Sequence, residues 1–276
     1  MNAQSPLVQS FHDIHGVGVD PEGYAKIDAF CRSLLHSAQF VVFDHVCRFL
    51  ELEFYHYSAS HPDSYTHRDK IQSKMGKWYF HRSGNSYKSG SFKGLDFTFG
   101  GEDAFGGVLI RSIQTDESKV ICGPSLCVDF LIQQSGLKSV KELDPQVYDK
   151  SIWDPENSMR IESCPQRDID IYSSARVGLS VGSSKERHRF VMRRYRFLTE
   201  TKEIKKGRAH LILALHQDGY SVDDIRQISG SPKKTIEGYI EAVKEGENCN
   251  IEELYGSRLG SRELCLLEGY LRKQGE

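Results

Sequence analysis

The ten residues 48–57, RFLELEFYHY, restrict the fold more than any other stretch. Leu50, Leu52, Phe54 and His56 alternate strictly with Glu51, Glu53, Tyr55 and Tyr57, a period of two that no helix accommodates. The segment reads as a strand with one greasy face and one face carrying two carboxylates and two phenols. Such a strand belongs in an antiparallel sheet with one face packed on a core. Taken alone, the polar face is either a solvated sheet surface or the wall of a site.

Other elements follow from the same reasoning. Helical spacing of Ile27, Phe30 and Leu34 predicts a helix over 24–36, after an irregular segment 1–27 that it partly overlaps. Strands are predicted at 39–45, 47–57, 77–82, 95–100 and 106–113. The stretch 83–94, SGNSYKSGSFKG, is the tip of a long hairpin. A helix over 124–136 ends at Gly136, residues 137–170 read as loop, and two more strands are expected in 174–180 and 189–198. Near residue 200 the β-like alternation stops. The boundaries predicted are therefore 28–200 for a main domain and 201–276 for a small helical one.

The seven cysteines are odd in number and include no C-x-x-C pair, which argues against a disulfide framework or a zinc ribbon and for a reduced, cytoplasmic protein. No signal-peptide pattern opens the sequence, and no apolar run reaches the roughly 18 residues of a membrane span. The net charge of −2 says little, so the distribution of charge matters more.

Two features carry chemistry. Arg111 interrupts the apolar strand GGVLIRSI and needs a buried partner, for which Glu53 is suited. Glu53 between a second carboxylate and an aromatic ring could activate water. His56, His61, His67 and His81 fit no metal-ligand spacing. In the tail, 204–244 reads as three short helices. Ser221 and Asp224 form a capping pair, Ser231 is an N-cap, Pro232 stands at the first helical position and Gly246 follows the end. The arrangement resembles a helix-turn-helix, which would present Lys233, Lys234 and Thr235 to the major groove. Upstream lies a basic series that includes Arg187, Arg189, Arg193, Arg194 and Arg196. A plain helical bundle with a solvated basic face is the competing reading.

The motif order over about residues 28–198 resembles the alkyladenine (3-methyladenine) DNA glycosylase family. Glu51-Leu52-Glu53-Phe54-Tyr55 followed by His67 is similar to that family's E-T-E-A-Y strand and loop histidine. GKWYFH, GVLIRSI, CGPSLC and SARVGLS then echo its hairpin strand, its V-L-L-R-A strand, its G-P-x-K-L helix start and its R-I-G strand, in order. The resemblance implies an α/β (α+β) fold, a curved antiparallel sheet with flanking helices, and base flipping from double-stranded DNA. It makes Glu53 the water-activating carboxylate and Arg111 its partner. Tyr55, His67, His81 and Asp96 would line the base pocket, Tyr87 would be the wedge into the duplex, and Lys88, Arg176, Arg193, Arg194, Lys233 and Lys234 would contact phosphates. Neither cofactor, metal nor protein partner is implied.

This sequence also departs from the family. His81 replaces a stacking tyrosine, Asp96 replaces an asparagine, the lysine of G-P-x-K-L is missing, and the hairpin tip is longer. These changes point from a flat alkylated purine toward a bulkier, hydroxyl- or amino-bearing base, such as glucosylated hydroxymethylcytosine in phage DNA, and toward an antiviral role. The alternatives are alkylated-purine repair, a non-catalytic DNA-binding regulator, and a small-molecule hydrolase.

Overall fold

A computed structural model describes residues 6–181, 189–256 and 259–275. They form two compact units. The first takes the chain up to Ile171 and reclaims Phe197–Thr199; the second holds Tyr172–Arg196 and the chain from Glu200 onward. Residues 172–196, expected in the main domain, therefore belong with the helical tail. Arg187 of the basic series lies outside the described residues.

The first unit is helices against an antiparallel sheet. Its strands are β1 (Ala38–Val42), β2 (His45–Tyr57), β3 (Met75–Phe80), β6 (Leu95–Phe99), β7 (Phe105–Gln114), β8 (Val120–Cys122) and β9 (Met159–Ser163). They pair antiparallel as β9-β1-β2-β7-β6-β3, with β8 on the end of β7. Between β3 and β6 the hairpin tip holds a smaller ribbon, β4 (Arg82–Ser83) with β5 (Ser86–Tyr87). Its two-residue turn starts at Gly84 with φ +58°, the backbone a twisted ribbon needs there.

The described part of the N-terminal segment, residues 6–27, is largely helical rather than irregular. It holds α1 (Pro6–Asp13) and α2 (Pro21–Ser37). Asp20 caps α2 by accepting from the Gly23 amide, and Pro21 follows at the first helical position, so the start signal lies among the glycines that suggested a loop. Residues 137–170 likewise contain α4 (Val140–Val147) and β9. In α4, Val140, Leu143 and Val147 are buried at helical spacing, a pattern that Pro145 obscures.

Register fixes the two faces of the sheet. Phe54, Val108, Phe97 and Trp78 form one row, and Glu53, Leu109, Asp96 and Tyr79 the next. Adjacent rows point to opposite sides. The apolar side meets α1 and α2: Phe11 lies edge-on to Phe30 at 5.0 Å and tilted against Phe97 at 5.8 Å, and Phe54 stacks on Phe99 at 4.9 Å.

His56 sits on that apolar side, fully buried, with Nδ1 donating to the Phe105 carbonyl at 3.1 Å. Burial, helped by His61, pushes its pKa down to about 3. A folded value below the unfolded value of about 6.5 stabilises the fold above pH 6.5 and progressively less as pH falls toward 3. Unfolding by urea should therefore show about 2 kcal/mol less stability at pH 4.5 than at pH 7 from this residue. His56→Leu should flatten that difference; an unchanged pH slope would refute it.

In the second unit, α5 (Arg208–Gln217), α7 (Lys233–Gly246) and α8 (Ser261–Gln274) share a core of Ala209, Leu213, Ala242, Val243, Leu264 and Cys265, and α6 (Val222–Ser229) buries Ile225. The Ser221–Asp224 capping box is present, and Gly230 ends α6 at φ +67°. Pro232, not Ser231, is the N-cap of α7, and Gly246 is its last helical residue rather than one beyond the end. Of the two late strands expected at 174–180 and 189–198, only short pieces are extended: β10 (Tyr172–Ser174), and β11 (Arg196–Leu198), most of which belongs to the first unit. Gly178 at φ +85° breaks the first, and the bond from the Tyr195 amide to the Arg193 carbonyl turns the second.

Candidate active site

The polar sheet face is not solvated. Glu53 is 0 % exposed, Glu51 1 % and Arg111 5 %, so the pattern that could have been a surface is a buried ion cluster. Arg111 Nε donates to Glu51 Oε1 at 3.0 Å and Nη1 to Glu53 Oε2 at 3.3 Å. The Tyr55 hydroxyl donates to the same Glu53 oxygen at 2.9 Å, and Ser112 Oγ to Glu51 Oε2 at 2.6 Å. Burial works against the Arg111 charge, but Glu53 and Glu51 outweigh it and hold the guanidinium above its ordinary pKa.

The backbone is irregular at this point. Leu52 faces Ile110 and Phe49 faces Ile113, but between them Glu51 stands opposite Ser112. Arg111 is thus an extra residue on β7 and Leu50 an extra residue on β2, two bulges that cancel. Their carbonyls leave the ladder. That of Arg111 accepts from the Gly123 amide at 2.7 Å and from Cys127 Sγ at 3.5 Å, and that of Leu50 from the Thr199 amide at 2.9 Å. Every diverted group named is satisfied, so the distortion is compatible with burial.

A second cluster lies across Leu109. Asp96 shares the row of Glu53 two strands away, about 9–10 Å by interstrand spacing. Asp96 Oδ1 is 2.7 Å from His81 Nε2, and its Oδ2 accepts from Gln72 Nε2 at 3.1 Å. The His67 and His81 rings meet at 4.5 Å. Lys88 Nζ donates to His67 Nε2 at 3.2 Å, which leaves the proton on Nδ1 to reach Tyr79 Oη at 3.1 Å. The crowding of its ring, then His81 and Lys88, pushes His67 below its ordinary pKa, so the neutral imidazole dominates at pH 7. Gly107 stands between Tyr55 and Thr98. A Cβ there would lie 2.8 Å from Asp96 Oδ2, so the missing side chain leaves room beside that carboxylate.

The predicted set thus falls into parts. Glu53, Arg111 and Tyr55 converge, and so do His67, His81, Asp96 and Lys88. Gln72, Tyr79 and Ser112 join them without a sequence signal beyond their place on the strands or next to them. Tyr87 does not project as a wedge. Its hydroxyl donates to Asp144 Oδ2 at 2.6 Å and its ring lies under the Arg82 guanidinium at 5.3 Å. Loss of water and then Asp144 push that phenol up to about 12. The hairpin ring left open is Phe92, 74 % exposed in the 3₁₀ turn Gly90–Phe92. That turn is tied to α3 (Pro124–Ser135) by Ser125 Oγ on the Gly90 carbonyl at 2.7 Å and by the Lys93–Asp129 ion pair, beside exposed Leu126.

Two of the expected phosphate contacts are structural. Arg176 is 1 % exposed and donates to the Phe190 carbonyl at 3.3 Å. Arg194 clasps the end of α5, with bonds to Asp218 at 2.7 and 2.8 Å, to the Ala214 carbonyl and to Gln217, a favourable place for a cation. Arg196, from the same basic series, is also buried and bonded to backbone carbonyls. Arg193 is half-buried, whereas Lys233 and Lys234 are exposed at the start of α7. Among the described residues no group of three or more His, Cys, Asp or Glu could hold a metal ion, and no helix is long and apolar enough to cross a membrane.

No protein-family model matches the chain. An uncharacterized protein of Acanthamoeba polyphaga mimivirus, L759, is 32% identical over 148 residues, 48% of this chain and 68% of that protein. The chain belongs to the same family as this mimivirus protein.

Proposed function

We propose that the protein is a monofunctional DNA glycosylase that flips a modified base out of the duplex and hydrolyses its N-glycosidic bond, leaving an abasic site. One observation carries this reading: the buried Glu53–Arg111 pair stands on the same sheet face as the Asp96–His81 cluster, with Glu53 and Asp96 in one row two strands apart. Glu53 acts as the base on water, and Arg111, with Nη1 3.3 Å from Glu53 Oε2, holds that carboxylate in place. Tyr55 stacks on the extruded base. His81 and Asp96 offer polar groups on the far side, which suits a base with added hydroxyl or amino substituents and hence a role against modified phage DNA. Lys88 faces the phosphates, and Lys233 and Lys234 add contacts from the helical unit.

Phe92 takes the wedge role first assigned to Tyr87, because an exposed ring on an anchored turn can enter a base step and a hydroxyl-bonded one cannot. Phe92→Ala should lower abasic-site formation in duplex DNA about tenfold, the worth of one stacking contact, and leave single-stranded substrate within about twofold. Tyr87→Phe should change neither. Equal losses on both substrates would remove the wedge.

The deciding assay uses unmodified, alkylated, deaminated, hydroxymethylated and glucosylated DNAs and scores alkali-labile sites. Sites on one modified class alone name the base. None on any, with tight DNA binding, leaves a non-catalytic binder.

A further inference from the structure

We propose that Glu51 is a positioning residue. Together with Ser112 it fixes the fork of Arg111, so that Nη1 is delivered to Glu53. The inference rests on the reading of Glu53 as the base.

Neutralisation alone does not explain Glu51. Arg111 needs one carboxylate to balance its charge, and Glu53 supplies it at 3.3 Å. Burying a second carboxylate at 1 % exposure is costly unless its hydrogen bonds are fully made and it does something more. Here both its oxygens receive donors from consecutive residues of β7: Arg111 Nε on Oε1 and Ser112 Oγ on Oε2. In a regular ladder consecutive side chains point to opposite faces. The bulge at Arg111 turns both toward Glu51, and the diverted Arg111 carbonyl is caught by Gly123. A guanidinium held only at Nη1 could pivot about that bond. Held also at Nε it has one orientation, and the orientation it has reaches Glu53. The longer of the two ion-pair contacts is the one to Glu53, and the shorter is the one that sets the plane. Glu51 touches no reacting atom in this scheme; it acts through Arg111.

Side-chain NMR of the ¹⁵N-labelled full chain tests this without any substrate. The Arg111 Nε–H should exchange slowly with water in the wild type. Glu51→Gln should speed that exchange about tenfold or more, and Ser112→Ala by a smaller factor, as local restraint is lost. In the abasic-site assay Glu51→Gln should lower kcat roughly tenfold with KM within about twofold, a misplacement effect rather than a binding one. In an Arg111→Lys background Glu51→Gln should cost no further rate, because the residue through which it acts is already gone. If Glu51→Gln does not fold, the Ser112→Ala exchange rate decides. Unaltered exchange in the variants, or additive rate losses in the double variant, overturns the proposal. Faster Arg111 exchange in the variants of a wild type that makes no abasic sites would instead uphold the positioning and remove the glycosylase reading.

Discussion

Replacing Glu53 by glutamine lowers abasic-site formation by about 10²–10⁴-fold, the usual worth of a general base, and leaves DNA affinity within a few-fold. Glutamine keeps the shape and can still accept from the Tyr55 hydroxyl, which lies 2.9 Å from Glu53 Oε2. What it loses is the lone pair basic enough to take a proton from water. Arg111 keeps its 3.0 Å bond to Glu51, so the buried guanidinium is not stranded and the variant stays folded. Single-turnover rates on the modified DNA, beside a binding isotherm on the same duplex, check both halves. A variant within tenfold of the wild-type rate would mean that Glu53 is not the base.

The second large effect concerns stability. Gly269 of α8 presses on α7: a Cβ at that position would lie 1.9 Å from the Val243 carbonyl oxygen and 3.0 Å from the Glu247 amide nitrogen. Gly246 makes the reciprocal contact, its would-be Cβ 2.2 Å from the Leu266 carbonyl oxygen. These obstacles are backbone, so no rotamer change relieves them and the helices must part. Gly269→Ala should cost about 3 kcal/mol, at the upper end of overpacking penalties, and should loosen α7 together with Lys233 and Lys234 at its start. Gly238→Ala is the control of opposite sign. That residue is exposed in α7 with nothing within 4 Å of a Cβ, so alanine should stabilise by roughly 0.5–1 kcal/mol through helix propensity alone. Amide exchange across α7 and α8 reads both. Equal protection in the two variants would refute the close-packing account.

The face assignment of β2 was legible because period two is a local property: Glu51, Glu53 and Tyr55 do share a side, and the Arg111–Glu53 pairing followed from the cost of an unpaired buried cation. The alternation does not run on to Phe49, whose ring lies 5.9 Å from that of Phe97 on the apolar side. The bulge at Leu50 reverses the sense, and a bulge leaves no mark in residue type. The arginines of the late basic series read as one cluster, yet Arg194 and Arg196 are committed to backbone carbonyls and, for Arg194, to Asp218; Arg176, expected on a phosphate, is likewise bonded to a carbonyl. Sequence gives the charge of a side chain and says nothing of whether a carbonyl is waiting for it. Phe92 was missed for the converse reason. A phenylalanine is expected in a core, and only the tying of its turn to α3 shows that this one is held outside.

The two cancelling bulges bear on how such a site could arise. Take Leu50 out of β2 and Arg111 out of β7, and the remaining pairs, Phe49 with Ile113, Glu51 with Ser112 and Leu52 with Ile110, close into an uninterrupted ladder. The guanidinium is therefore an addition to a sheet that has no architectural need of it. A designed chain lacking both residues, with apolar side chains at 51 and 53, should keep the scaffold while shedding the buried charges. Run in reverse, that edit, two insertions and two substitutions, is a route by which an inert antiparallel sheet gains a buried ion cluster.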